Sequence, residues 1–508
     1  MRKHDVVVVG AGPNGLSSAI ALARSGLSTL VIERAEQAGG GARTNELTFP
    51  GFLHDVCSSV HPLGIGSPFF RSLGLEQYGV DWIQPTSPVA HLLGPERAVL
   101  LERSIEATAE QFGEDGTAYR DLFEPLARDF ERLLPMILGP LHLPAEPLLL
   151  GRFGLAALQS LRGLCRARFR GSEVSALLAG IGAHAMLPLT SAATASFALV
   201  LTAAAHVFGW PIARGGSSSI TAALLQCLKG AGGELRLNHC VRKRSDLPPA
   251  RAYLFDVTPR QLLQIVGNEL PEPYRRRLQR FRYGPGVYKL DWALSAPIPW
   301  RDSRCARAAT VHLAGSLDDV SLAEAAVHAG QVAQQPFVLL VQPSLFDPSR
   351  APPGLHTAWA YCHVPHGSEW DASDAIEATI ERCAPGFREL ILARASKDAL
   401  QMEKYNPNYV GGDINGGEAR LSQLFFRPLA RLDPYSTPVP DIFLCSSSTP
   451  PGGGVHGMCG YWAARSVARR VFQRSLQAFS PSGPPGSGEG VQAAERVAAV
   501  GAQYRAAR

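Results

Sequence analysis

The sequence has no paired cysteines. Its nine cysteines run from Cys57 to Cys459, are odd in number, and include no CxxC pair and no metal-ligand spacing. That pattern predicts reduced thiols, no bound metal and no redox-active cysteine pair, so a disulfide-reductase chemistry is excluded. Charge is also sparse: 18% of residues are charged, the net charge is only +5, and no long Lys/Arg run occurs. A nucleic-acid partner is therefore not expected. No Ser-His-Asp signature is recognisable, and no signal-peptide pattern precedes the first apolar run, which predicts a cytoplasmic chain. The longest stretch without Asp, Glu, Lys or Arg lies between Glu173 and Arg214. It is rich in Ala, Ser and Thr and broken by Pro188, so buried helices are predicted rather than a membrane span. Peripheral contact with a membrane surface stays open at this point.

Glycine is plentiful, and its placement is informative. Asp5 to Glu46 opens with Val6–Val9, the continuous apolar pattern of a buried parallel strand. Gly10, Gly12 and Gly15 follow in GxGxxG spacing, suited to a tight turn, a close backbone approach to a pyrophosphate, and helix packing on the strand. Asn14 to Ser25 reads as a helix whose N-terminal end favours phosphate. Leu27 to Ile32 reads as a second strand, ending in Glu33, whose carboxylate could accept hydrogen bonds from a ribose. Strand, helix, strand and acid in this order predict a dinucleotide site.

Gly39, Gly40 and Gly41, then Arg43 and Thr44, follow at once. This extension resembles the GG-R-T segment of the amine-oxidase and phytoene-desaturase superfamily of flavoproteins. The resemblance implies FAD rather than NAD, with the glycines bringing a second loop to the pyrophosphate and the arginine close by. It also implies a place for Arg34 in the same site. Further wording supports it: YGPGVYKLDWAL from Tyr283, KYNPNYVGGDINGG from Lys404, and DIFLCSSSTPPGGGVHGMCGYWAAR from Asp441. Together these resemble a subgroup of phytoene-desaturase-like oxidoreductases, with carotenoid isomerases as more distant relatives, over nearly the whole chain to about Arg474.

The fold class implied is α/β, a discontinuous Rossmann-type FAD domain beside an α+β substrate domain built on a mixed sheet and helices. The expected boundaries give the FAD domain 1–75, 208–265 and 429–478, and the substrate domain 76–207 and 266–428. The tail, 479–508, is expected to be a linker with a short amphipathic helix near Val491 to Tyr504. Within this plan, Phe208 to His239 returns the chain to the FAD domain, and the backbone at Val241 is implied to hold the adenine. Gly452, Gly454 and Gly457 repeat the GxGxxG spacing, but no acid lies about 20 positions downstream, so a second dinucleotide site is rejected. The segment instead implies a helix N-terminus aimed at the flavin, with Gly453, Gly454, Val455 and Met458 at the cofactor.

Two residues are candidates for chemistry. By resemblance, Lys289 could contact flavin N5 through water; an edge-strand lysine is the plain alternative. His61 could line the site or be a satisfied structural histidine. The reading favoured is an FAD-dependent dehydrogenase or isomerase of an apolar, polyene-like small molecule, by hydride transfer to flavin N5 and reoxidation by oxygen or a quinone. An amine oxidase, with Tyr405, Tyr409, Tyr461 and Trp462 as available rings, and a flavin-binding scaffold without turnover are the alternatives.

Overall fold

The computed structural model describes residues 4–476. The tail helix expected near Val491 to Tyr504 lies outside the described residues.

The four consecutive valines form the centre of a five-stranded parallel sheet. In spatial order it comprises Ile442–Leu444, Ala250–Phe255, His4–Val9, Thr29–Ile32 and Glu234–Arg236. Three separated parts of the chain thus build one sheet. Val6, Val7 and Val8 are fully buried because helices cover both faces. Pro13–Arg24 packs against Met458–Phe472 and against Ser218–Gly230. The first contact is unusually close: a Cβ on Gly460 would stand 1.8 Å from the Asn14 carbonyl oxygen.

A second sheet has seven strands, in the order Ile391–Lys397, Gly286–Leu294, His356–Val364, Val338–Val341, Ala308–Leu313, Ser87–Gly94 and Arg97–Leu101. It is mixed, because Ala308–Leu313 pairs parallel with Ser87–Gly94 and the other pairs are antiparallel. Strand Gly286–Leu294 is buried along its whole length, and its two faces differ. Tyr288, Leu290, Trp292 and Leu294 enter one apolar core with Ile376 and Phe387. Lys289 and Asp291 point the other way, beside Tyr361 and Trp359 of the neighbouring strand. The α/β fold class expected from the sequence is the one observed.

The uncharged run forms two buried helices, Ser172–Gly182 and Thr194–Phe208, inside a large apolar cluster. Among the described residues no helix is long and apolar enough to cross a membrane. Three local turns shape the chain. Helices Ile105–Ala109 and Asp115–Ile137 are parted where Gly113 takes φ +53°. Helix Pro68–Leu73 ends at Gly74, in the left-handed region at φ +66°. The edge strand Glu234–Arg236 ends short of Val241. Asn238 is left-handed, and the Asn238 and His239 N–H groups donate to the Ala35 and Glu33 carbonyls. That turn carries Val241 across the end of the sheet.

Candidate functional site

A cleft of about 600 Å³ runs over the C-terminal ends of the parallel strands, where doubly wound sheets bind ligands. Gly10, Gly12, Glu33, Arg34, Gly40, Gly41, Arg43, Val241, Gly454 and Val455 all line it. Gly15, Gly453, Met458, His61 and Lys289 do not.

The glycine turn is held by contacts that leave no room for side chains. Gly10 has φ +103°, and a Cβ on Gly15 would lie 2.1 Å from the Gly10 carbonyl oxygen. A Cβ on Gly40 would lie 3.1 Å from the Gly12 Cα, so the two glycine loops meet backbone to backbone. Helix Pro13–Arg24 begins with proline at its first turn and no side-chain cap. Its Gly15 N–H donates to Asp256 Oδ2 at 2.9 Å. Asp256 sits one residue past the strand Ala250–Phe255 and lines the cleft. Burial raises its pKa to about 7; the nearby Glu33 charge adds to the rise, and the Gly15 and Gly12 N–H groups oppose it.

Glu33 is fixed by backbone. Its Oε2 accepts the Ala11 N–H at 2.8 Å and its Oε1 the Ala35 N–H at 2.9 Å, with Arg43 Nη2 at 3.4 Å. Oε2, with the single Ala11 donor, keeps a second lone pair for a ligand. Arg43 Nη2 also donates to the Gln37 carbonyl at 2.8 Å, and its guanidinium lies 5.6 Å from the Tyr405 ring centroid. A Cβ on Gly41 would lie 2.7 Å from the Tyr409 hydroxyl. The glycine-rich extension thereby brings two tyrosines of a distant loop to the cleft wall.

At its far end the cleft reaches the second sheet. Trp359 and Tyr361 line it with Cys57 and Ser446 to Ser448. Their rings stack at 5.9 Å and 17° because they alternate along strand His356–Val364. Lys289 lies behind this wall: its Nζ stands 4.9 Å from the Trp359 centroid and 2.5 Å from Asp291 Oδ1. His54 Nδ1 is 3.6 Å from the same oxygen, and burial together with the Lys289 and Arg350 charges lowers the His54 pKa to about 3. Lys289 is thus an internal ion-pair member one ring removed from the cleft.

Asp55 organises the junction. It accepts the Thr44 hydroxyl at 2.7 Å, the Ser59 hydroxyl at 2.5 Å and the Ser217 N–H at 2.8 Å, and pairs with fully buried Arg350 at 2.6 Å. Burial pushes the Asp55 pKa up, but the Arg350 charge and these hydrogen bonds outweigh it and bring it to about 2.

A second cavity, about 970 Å³, adjoins the cleft and shares Ser58, Val60, His184, Asn415, Gly454 and Val455 with it. Its lining contains no Asp, Glu, Lys or Arg. Helices Pro147–Ala157 and Thr194–Phe208 form one side, so the Leu-, Pro- and Gly-rich stretch 137–159 supplies a cavity wall. Leu141, Leu155 and Leu158 of this wall are also solvent-exposed, at 58%, 78% and 50%. His61 lines this cavity, with Nε2 2.9 Å from the Ser217 hydroxyl, and burial lowers its pKa to about 4. Gly453 lines it too, while Met458 is buried and donates its N–H to His456 Nδ1 at 3.1 Å. Of the four rings weighed for a cage, Tyr405 and Tyr409 line the cleft; Tyr461 packs on Phe69, and Trp462 donates to the Leu138 carbonyl at 2.9 Å.

Asp55, Asp256, Trp359 and Tyr361 went unread in the sequence. A signal existed for two kinds of them: an acid closing a strand next to the glycine turn, and rings at alternate positions in HTAWAYCHV.

Comparison with known proteins agrees with this geometry. Residues 8–73 match the family model of NAD(P)-binding Rossmann-like domains. Pyridine nucleotide-disulfide oxidoreductase domain-containing protein 2 of Rattus norvegicus is 27% identical, over 92% of this chain and 94% of its own. One of the limonene dehydrogenase subunits of Castellaniella defragrans is 24% identical, over 92% of this chain and 95% of its own. Among solved structures, an oxidoreductase from Methanosarcina mazei superposes with a TM-score of 0.62 at 15% identity, covering 92% of this chain and 100% of that one. Wild-type putrescine oxidase bound to putrescine gives 0.60 at 18% identity, covering 93% and 100%. These superpositions show a shared two-domain oxidoreductase fold.

Proposed function

We propose that the chain belongs to the FAD amine-oxidase-like superfamily and that within it the protein is an FAD-dependent oxidoreductase that dehydrogenates or isomerises an uncharged, apolar, terpene- or polyene-like substrate. The observation that carries this reading is the 970 Å³ cavity without a charged lining residue, continuous with the nucleotide cleft through six shared residues. A name among the relatives, limonene dehydrogenase, points to the same class of substrate.

The residues present fit FAD. Gly10, Gly12 and Gly40 offer bare backbone for a pyrophosphate, Glu33 Oε2 has a spare lone pair for a ribose, and Val241 and Arg34 would flank the adenosine end. Ser446 to Ser448, Gly454 and Val455 continue the cleft to Trp359 and Tyr361, well past the adenosine half. A flavin held there would supply a two-electron acceptor at the junction of the cavities, to be reoxidised by oxygen or a quinone. The protein's own part is binding and exclusion of water: apolar walls surround the substrate, and Trp359 and Tyr361 close the inner end. Exposed Leu141, Leu155 and Leu158 at the cavity wall support substrate entry from an apolar phase, by peripheral contact with a membrane.

A second reading, amine oxidation, draws on the rings of Trp359, Tyr361, Tyr405 and Tyr409, which could face a cation. It ranks below the first because the apolar cavity offers no carboxylate to an ammonium group. Anaerobic mixing of the FAD-loaded protein with terpenes, polyenes and amines, followed by flavin absorbance, separates the two.

A further inference from the structure

Behind the cavity junction lies a cluster of imidazoles that no step above uses. His184 lines both cavities and is half-buried. Its enclosed nitrogen, Nε2, has no protein hydrogen-bond partner, and Nδ1 is left as the nitrogen on the cavity side. Inside it, the His312 ring centroid is 5.8 Å away, and neither His312 nitrogen has a protein partner. His91 follows at 5.9 Å. Its Nε2 is 2.7 Å from the Gly315 carbonyl oxygen, while its Nδ1 has no protein partner. The Nδ1 atoms of His91 and His312 both press on Gly180, where a Cβ would lie 2.4 Å and 2.5 Å from them. So many enclosed ring nitrogens without protein partners are unusual, since nearly all buried polar groups are paired.

The polarity of this array follows from its inner end. A carbonyl oxygen only accepts, so His91 Nε2 carries the hydrogen and His91 Nδ1 presents a lone pair. His312 Nδ1–H then reaches that lone pair through a bridging water, since the two nitrogens share no direct hydrogen bond, and His312 Nε2 is an acceptor. The His184 ring is next, 5.8 Å away between centroids; a water-bridged donation from its enclosed Nε2–H to this acceptor leaves a lone pair on His184 Nδ1. Burial lowers the pKa of both His184 and His91 to about 4, and that of His312 well below the ordinary value, which keeps the rings neutral at rest.

We propose that His184 is the base that removes the proton in substrate dehydrogenation, and that His312 and His91 are positioning residues that hold its lone pair toward the substrate. The proposal rests on the dehydrogenation reading above. When a saturated C–C bond loses two hydrogens, one C–H leaves with its electron pair to the oxidant, here a flavin. The neighbouring C–H bond breaks, its electron pair becomes the new π bond, and its proton goes to His184 Nδ1. Neutral imidazole is suited to that role and the apolar cavity offers no carboxylate for it.

Two measurements test this. In [15N]histidine-labelled protein without substrate, the signal lost in His184→Gln identifies His184, which is expected to be the Nε2–H tautomer with an unprotonated Nδ1. His91→Phe, which removes the anchor to Gly315, is expected to convert it to a tautomer mixture. A resting Nδ1–H tautomer, or a signal indifferent to His91→Phe, overturns the array. In anaerobic single-turnover reduction, His184→Gln is expected to slow flavin bleaching about 100-fold or more with substrate Kd unchanged. A reducible wild type with an equally reducible His184→Gln variant overturns the base assignment alone. A wild type that no apolar compound reduces overturns the base assignment and the dehydrogenation reading together.

Discussion

Asp256 Oδ2 accepts the Gly15 N–H at 2.9 Å, so a carboxyl group occupies the first turn of the helix that leaves the glycine-rich turn. That carboxyl has a pKa near 7, raised first by burial and then by Glu33. Its ionisation places a negative charge beside the loops that face the phosphates. FAD affinity is therefore expected to fall about tenfold between pH 6 and pH 8.5, a change of about 1.4 kcal/mol. Titration calorimetry at several pH values checks this, and Asp256→Asn should flatten the profile. The stability of the cofactor-free protein moves the same way. A folded-state pKa raised above the ordinary 3.8 gives stability fully present below that value and lost as pH rises through about 7.

Gly12→Val should abolish FAD retention. The added Cβ would stand 2.7 Å from Asp256 Oδ2 and so distorts the turn even before a ligand arrives. Far-UV circular dichroism should remain that of the wild type while the purified protein loses its flavin absorbance. A yellow variant contradicts the placement of the cofactor.

Arg350→Met should destabilise the fold by about 3–5 kcal/mol, because it strands a fully buried Asp55. The acid limb of the stability curve tests the same pair. Asp55 has its pKa lowered from 3.8 to about 2, so its contribution is present above the unfolded value and is lost as pH falls toward 2. Urea unfolding from pH 5 to pH 2 should show that loss in the wild type and not in an Asp55→Asn/Arg350→Met double variant.

Lys289→Met should act on stability through Asp291. With the 2.5 Å pair broken, a buried carboxyl is left to His54, at 3.6 Å, and to the Lys397 charge, and a cost of about 3–5 kcal/mol follows. Adding Asp291→Asn should recover most of it. If the single variant keeps its thermal midpoint and instead slows flavin reduction tenfold, the lysine acts on the cofactor.

The nucleotide half was legible because its logic is local. Val6–Val9, the three glycines and Glu33 fix strand, turn and acid within one βαβ unit, and the structure assembles them on one cleft. The far end was not, because it depends on pairings between distant segments. Tyr361 lies directly across from Lys289, and Trp359 across from Asp291, so the Lys289–Asp291 ion pair sits beside rings that only the strand pairing brings there. Asp55 meets Arg350 across 295 positions. The uncharged run read as buried helices, and those helices are observed; that Thr194–Phe208 also walls a cavity follows from its placement beside Pro147–Ala157, a distant segment.

The most direct test of an apolar-substrate oxidoreductase is anaerobic stopped-flow mixing of the FAD-loaded protein with uncharged terpenes or polyenes and, separately, with primary amines. The predicted result is bleaching of the oxidised flavin band by a member of the uncharged set and none by the amines. Bleaching by amines alone would contradict it.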